Sequence, residues 1–137
     1  MSTDTTTAEE LLAEIRARRG FTLPVHELMA EVDPEILRRY NDLASYVIFG
    51  PEPRALDLKT RFLVMVGITT AVKGDREGVE WSARRAMDHG ATRQEVLEAI
   101  VLAALPAGVP AVEAAAKAFT EMTEGRGWVD QDDGSEA

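Results

Sequence analysis

Apolar residues recur at helical spacing along most of the chain, and no alternation of apolar and polar positions lasts long enough to build a strand. Thr7-Ala-Glu-Glu10 reads as a capping box, with Leu11, Leu12 and Ile15 following at helical spacing and Gly20 closing the segment. Leu23-Pro24 opens a short helix carrying His26, Leu28 and Met29. Asp33-Pro34-Glu35 starts another, with Asp as N-cap and Pro at the first helical position. It runs to about Phe49 and stops at Gly50-Pro51-Glu52-Pro53. Asp57 caps a helix from Leu58 to about Lys73. Its interior, Phe62 to Ile68, is apolar nearly all round, which predicts a central helix or one covered by a partner subunit. A turn at Gly74 to Gly78 leads to a helix over Val79–His89, closed by Gly90. A second capping box, Thr92-Arg-Gln-Glu95, starts a helix to about Leu105. Pro106-Ala-Gly108 breaks it, and Pro110 starts the last helix, which ends near Met122.

This pattern predicts an all-α protein, a compact bundle of six to seven helices in one domain over residues 1–124. From Thr123 on, Gly, Asp and Glu dominate, so 125–137 reads as a disordered acidic tail. No internal repeat has a convincing period.

Composition narrows the chemistry. The 137 residues include no Cys, which excludes disulfides, thiolate nucleophiles and Cys-ligated metals. Net charge is −9, and the Arg16, Arg18, Arg19 group and the Arg84–Arg85 pair lack interleaved aromatics. They read as solvated helix faces, so no nucleic-acid partner is expected. No apolar run approaches the roughly 18 residues of a membrane span, and the opening MSTDTTTAEE is unlike a secretory leader. The expectation is a cytoplasmic protein with no membrane partner. His26 and His89 lie far apart, and no His-x-x-x-His or Glu-x-x-His occurs, so neither a metal site nor a cofactor is expected.

Leu56-Asp-Leu-Lys-Thr-Arg61, Arg85-Ala-Met-Asp-His-Gly-Ala-Thr92, Glu95-Val-Leu-Glu-Ala-Ile100 and Ala107-Gly-Val-Pro-Ala111 occur in an order and spacing that count together. The segment from Leu56 to about Phe119 resembles the core of the carboxymuconolactone decarboxylase family, within the alkylhydroperoxidase D-like superfamily. Gly20-Phe-Thr-Leu-Pro-Val-His26 with Asp33-Pro-Glu35 is similar to the N-terminal part of some single-domain relatives. These motifs are caps, turns and packing faces, and none carries chemistry itself.

The resemblance places the family's reactive groups on the turn and helix numbered 74–89. Where relatives carry a His, this chain has Ser82; the second Cys or an upstream His falls on Gly78, the first Cys on Asp75, and a frequent acidic residue on Phe62. This is therefore a divergent member. Thiol-based peroxide reduction needs an attacking thiolate and a resolving thiol, so the chain is not a peroxidase of that type. Decarboxylation of a lactone acid leaves an enolate-like carbanion, for which a positioned His is the natural general acid, and the family His is missing.

Two residues remain as catalytic candidates. Glu80 lies two before Ser82, and His26 follows a rigid Pro. The substrate-binding candidates are Arg76, Glu77, Gly78, Trp81 and Ser82. Each also has a structural reading. Glu77 and Glu80 suit the positive end of a helix dipole, Trp81 suits a core or subunit interface, and His89 suits a helix C-terminus. Gly78 and Ser82 share a face, and their small side chains predict a groove beside Trp81. The resemblance implies a cofactor-independent lyase, decarboxylase-like, or an isomerase, acting on a small organic acid or lactone. A non-catalytic binding or accessory protein on the same fold is the alternative. The apolar stretches 58–72 and 99–106 exceed what one small bundle covers, so a homotrimer or homohexamer is expected.

Overall fold

The computed structural model describes residues 6–72 and 76–124. Eight helical segments and no strand occur among them, and the protein is all-α as the pattern predicts. Lys73, Gly74, Asp75 and the predicted acidic tail lie outside the described residues. The chain divides into two compact units, residues 1–51 and 52–137.

The first unit holds α1 (Ala8–Arg19), α2 (Pro24–Val32) and α3 (Pro34–Val47). The Thr7 capping box forms, with the Glu10 amide donating to Thr7 Oγ1 at 3.1 Å and the Thr7 amide donating to Glu10 Oε1 at 2.9 Å. Gly20 ends α1 with φ 98°, a left-handed conformation that glycine adopts without strain. Asp33 closes α2 and caps α3, accepting from the Glu35 amide at 3.1 Å. Each helix packs on the other two, burying Leu11, Ile15 and Leu37 with Met29 and Ala30 alongside.

The second unit holds α4 (Leu58–Ala71), α5 (Arg76–Asp88), α6 (Arg93–Val101), α7 (Ala104–Ala107) and α8 (Val109–Thr123). Helix α4 is central and packs against all four of the others. One stripe of it is buried, comprising Arg61, Phe62, Val66 and Thr70. Phe62 meets Trp81 edge-on at 5.6 Å and lies parallel to the His89 ring at 5.6 Å. The opposite stripe, with Val64 and Ile68, is exposed. The all-round apolar pattern of this helix thus serves two faces, one in the core of the unit and one uncovered. Both caps form as read, Asp57 accepting from the Thr60 amide at 2.8 Å and Thr92 from the Glu95 amide at 3.0 Å.

Two boundaries differ from the sequence reading. Helix α5 begins at Arg76 and takes in Gly78, which the pattern assigned to a turn. The segment expected as one helix to Leu105 stops at Val101 and resumes as the four-residue α7. Pro106 explains the break. In a continuous helix its ring would clash with the carbonyl of Leu102, four residues back. In α7 it lies in the first turn, where no amide partner is needed.

Candidate functional site

Helix α5 carries the candidates expected from the pattern. Val79, Trp81, Ser82, Ala83, Ala86 and Met87 face the core of the second unit, and Arg76 and Glu77 lie outside it. Ser82 is 0% exposed. Its hydroxyl donates to the Gly78 carbonyl at 2.6 Å and lies 3.4 Å from the Thr69 hydroxyl of α4. The groove expected at Gly78 and Ser82 is therefore closed at Ser82, because the small side chain lets α4 approach and satisfies its hydroxyl internally. Trp81 is core, packed on Phe62 with the Arg85 guanidinium over its ring at 5.6 Å.

The outer edge of α5 is polar. Arg76 Nε pairs with Glu80 at 3.1 Å, and its Nη2 pairs with Glu121 of α8 at 2.6 Å. Lys117 also holds Glu121, at 2.8 Å. These bonds hold Glu121 below the usual carboxylate range, Lys117 contributing most, and raise Arg76, with Glu121 the main cause. Beside Arg76 a recess of about 40 Å³ opens between Thr69, Thr70, Val79 and Ala115. That volume takes a water molecule or two and no substrate. Glu77 is exposed.

His26 has a different setting. It sits in the first turn of α2 and is 3% exposed. The Leu23 amide donates to its Nδ1 at 2.9 Å. An amide cannot accept, so Nδ1 is unprotonated and the ring proton is on Nε2. Burial, then the nearby Arg19 charge, pushes the pKa of His26 below 6.5, against a smaller opposing effect of Glu27. The positive end of the α2 dipole acts in the same direction. His26 meets Tyr40 edge-on at 5.8 Å and lines a cavity of about 300 Å³ within the first unit. Sequence reasoning singled out His26 but not this cavity. Its other walls come from α1 and α3, which no local motif ties to residue 26.

A pH dependence follows. The folded pKa of His26 lies below the unfolded value of 6.5, so its contribution to stability is complete above about 6.5 and is lost as pH falls through the folded pKa. Protonating Nδ1 also breaks the bond from the Leu23 amide. Urea midpoints measured from pH 7.5 down to 5 should fall, and His26→Gln should flatten the part of that fall below 6.5. An unchanged slope in the variant would contradict this account.

The sequence model of the carboxymuconolactone decarboxylase family matches residues 34–121, well over half of the 137. The chain belongs to the carboxymuconolactone decarboxylase family. No match to a curated protein was found. By the resemblance read from the sequence, α5 corresponds to the segment on which relatives carry their reactive groups. Ser82, which the resemblance sets against the family's His, is internally bonded, and Phe62, which it sets against a frequent acidic residue, is packed in the core. His26 lies before the matched span. No helix among the described residues is long and apolar enough to cross a membrane, and no cluster of three metal-ligating side chains occurs among them.

Proposed function

We propose that this family member is a cofactor-independent lyase or isomerase for a small organic acid or lactone, with His26 as its principal catalytic group. The observation that carries this reading is the buried, neutral His26 on the wall of a 300 Å³ cavity, its Nδ1 fixed by the Leu23 amide. A neutral imidazole is a poor general acid, since donating its proton outright would leave an imidazolate. It is a good hydrogen-bond donor to a developing enolate oxygen. In decarboxylation the bond to the carboxylate carbon breaks and CO₂ leaves. The electron pair delocalises into the adjacent carbonyl, whose oxygen accepts from His26 Nε2–H. Water then protonates the carbon.

Arg76 and Glu80 are paired polar groups at the start of α5, the helix that the resemblance makes the site helix, with Glu77 beside them. Gly78, Trp81 and Ser82 back that edge and shape it. A second reading, a non-catalytic binding or accessory protein, is favoured by the internal satisfaction of Ser82 and by the neutralisation of Arg76 by two carboxylates.

Incubation with carboxymuconolactone, following CO₂ release, tests the choice. The expected result is turnover that falls about 100-fold or more in His26→Gln, the usual loss on removing an oxyanion donor. Glu80→Gln with the same loss, and His26→Gln with none, would move the site to α5. Absence of turnover by the unaltered protein would remove the decarboxylase form of the proposal and leave the binding reading.

A further inference from the structure

The cavity beside His26 carries positive charge on its wall. Arg18 and Arg19 line it, and no Asp or Glu does, in a protein of net charge −9. Arg18 is set in place by neighbours on α3. Its Nη1 donates to Ser45 Oγ at 2.7 Å and to Asn41 Oδ1 at 3.3 Å, and the guanidinium lies over the Phe49 ring at 5.1 Å. Arg19 lies over Phe21 at 5.2 Å. Asn41 Nδ2 donates to Glu14 Oε1 at 3.4 Å. His26 Nε2, which carries the ring proton, makes no hydrogen bond among the described residues. The remaining wall is apolar, chiefly Leu43, Val47, Ile48 and Phe49.

We infer that the first unit binds a small organic acid with one carboxylate at the Arg18, Arg19 and His26 end and an apolar body along Leu43, Val47 and Phe49. Two guanidinium groups and an imidazole N–H supply donors and positive charge, which select an anion over a neutral or cationic ligand. A volume of 300 Å³ is at the small end of ligand cavities, so the body is about the size of a benzene ring or a short alkyl chain. Arg18, Arg19 and His26 precede the family-matched span 34–121, whereas Leu43, Val47 and Phe49 lie within it. The inference shares with the proposed function the reading of this cavity as a ligand site, but it does not require His26 to be catalytic.

Benzoate and its uncharged counterpart benzamide are suitable probes, titrated against the full chain by NMR. Benzoate should bind saturably, shifting the His26 and Phe49 ring signals. Benzamide should bind about 10- to 100-fold more weakly, the worth of a charged hydrogen bond. Arg19→Met should weaken benzoate by a similar factor, whereas Arg16→Met, an exposed change on the same helix, should not. Because Arg18 also braces α3, the benzoate and benzamide comparison in the unaltered protein is the primary test. Equal affinity for the two, or shifts centred on Arg76 and Glu80 of α5, would overturn the inference. So would His26 and Phe49 signals that move with protein concentration alone, since a second copy would then occupy the cavity. Arg19-dependent benzoate binding with His26→Gln turnover unchanged would sink the catalytic reading and leave this one standing. Arg19-independent binding with turnover lost in His26→Gln would do the reverse.

Discussion

Leu102→Glu combined with Leu105→Glu is expected to reduce the proposed closed homo-oligomer to a 15 kDa monomer. The second unit leaves a broad apolar groove of about 550 Å³ between α4 and the α6–α7 segment, lined by Leu63, Val64, Ile68, Ala99 and Leu102. Leu102 is 78% exposed and Leu105, beside it on α7, is 96% exposed. Ile68 and Val101 are also exposed. Contiguous apolar surface of this kind is uncommon on monomers and marks an interface. A second copy of the chain is the proposed occupant, as a trimer or hexamer, because both stretches that exceed one bundle's covering capacity, 58–72 and 99–106, meet at this groove. Burying one leucine side chain contributes about 1.5–3 kcal/mol, and a glutamate at the same place adds the cost of desolvating a charge. The double change should therefore abolish assembly while leaving helix content intact, since neither side chain belongs to the core of the unit. Light scattering on both proteins at micromolar concentration measures this. An unaltered protein that already scatters as a 15 kDa particle would end the proposal.

Phe62→Ala should cost about 3–5 kcal/mol of stability, the range for truncating a buried aromatic. Phe62 is 1% exposed, at the centre of α4, and bridges Trp81 on α5 and His89 just beyond the end of that helix. Removing it takes away two ring contacts and leaves a cavity between the two most extensively packed helices of the unit. Phe62→Glu should be worse, because it adds an unpaired buried carboxylate. The Phe62 ring is thus structural, and a carboxylate in its place is not expected to create activity. Urea denaturation monitored by circular dichroism provides the measurement. A loss below about 1 kcal/mol for Phe62→Ala would show that the ring is not the packing centre described, since buried truncations rarely cost so little.

The helices and their caps are local properties, and the sequence determined them. Thr7 with Glu10, Asp33, Asp57 and Thr92 with Glu95 satisfy first-turn amides within three residues, so their chemistry needs no distant partner. The apolar excess of 58–72 and 99–106 was also legible, since it depends only on counting faces. Family membership was legible for the same reason, because its motifs are caps and turns. The tertiary structure decided the site. Composition and spacing made Gly78 and Ser82 look like an opening, but whether a small side chain leaves a void depends on how closely the facing helix approaches, and α4 brings Thr69 to within 3.4 Å of the Ser82 hydroxyl. His26 stood out only as a histidine after a proline. Its neutral state, its tautomer and the cavity beside it arise from Leu23, from burial, and from α1 and α3 folding around it. Arg18 and Arg19 were read as solvated surface because charge alone does not reveal a concave setting, and that concavity exists only once three helices pack.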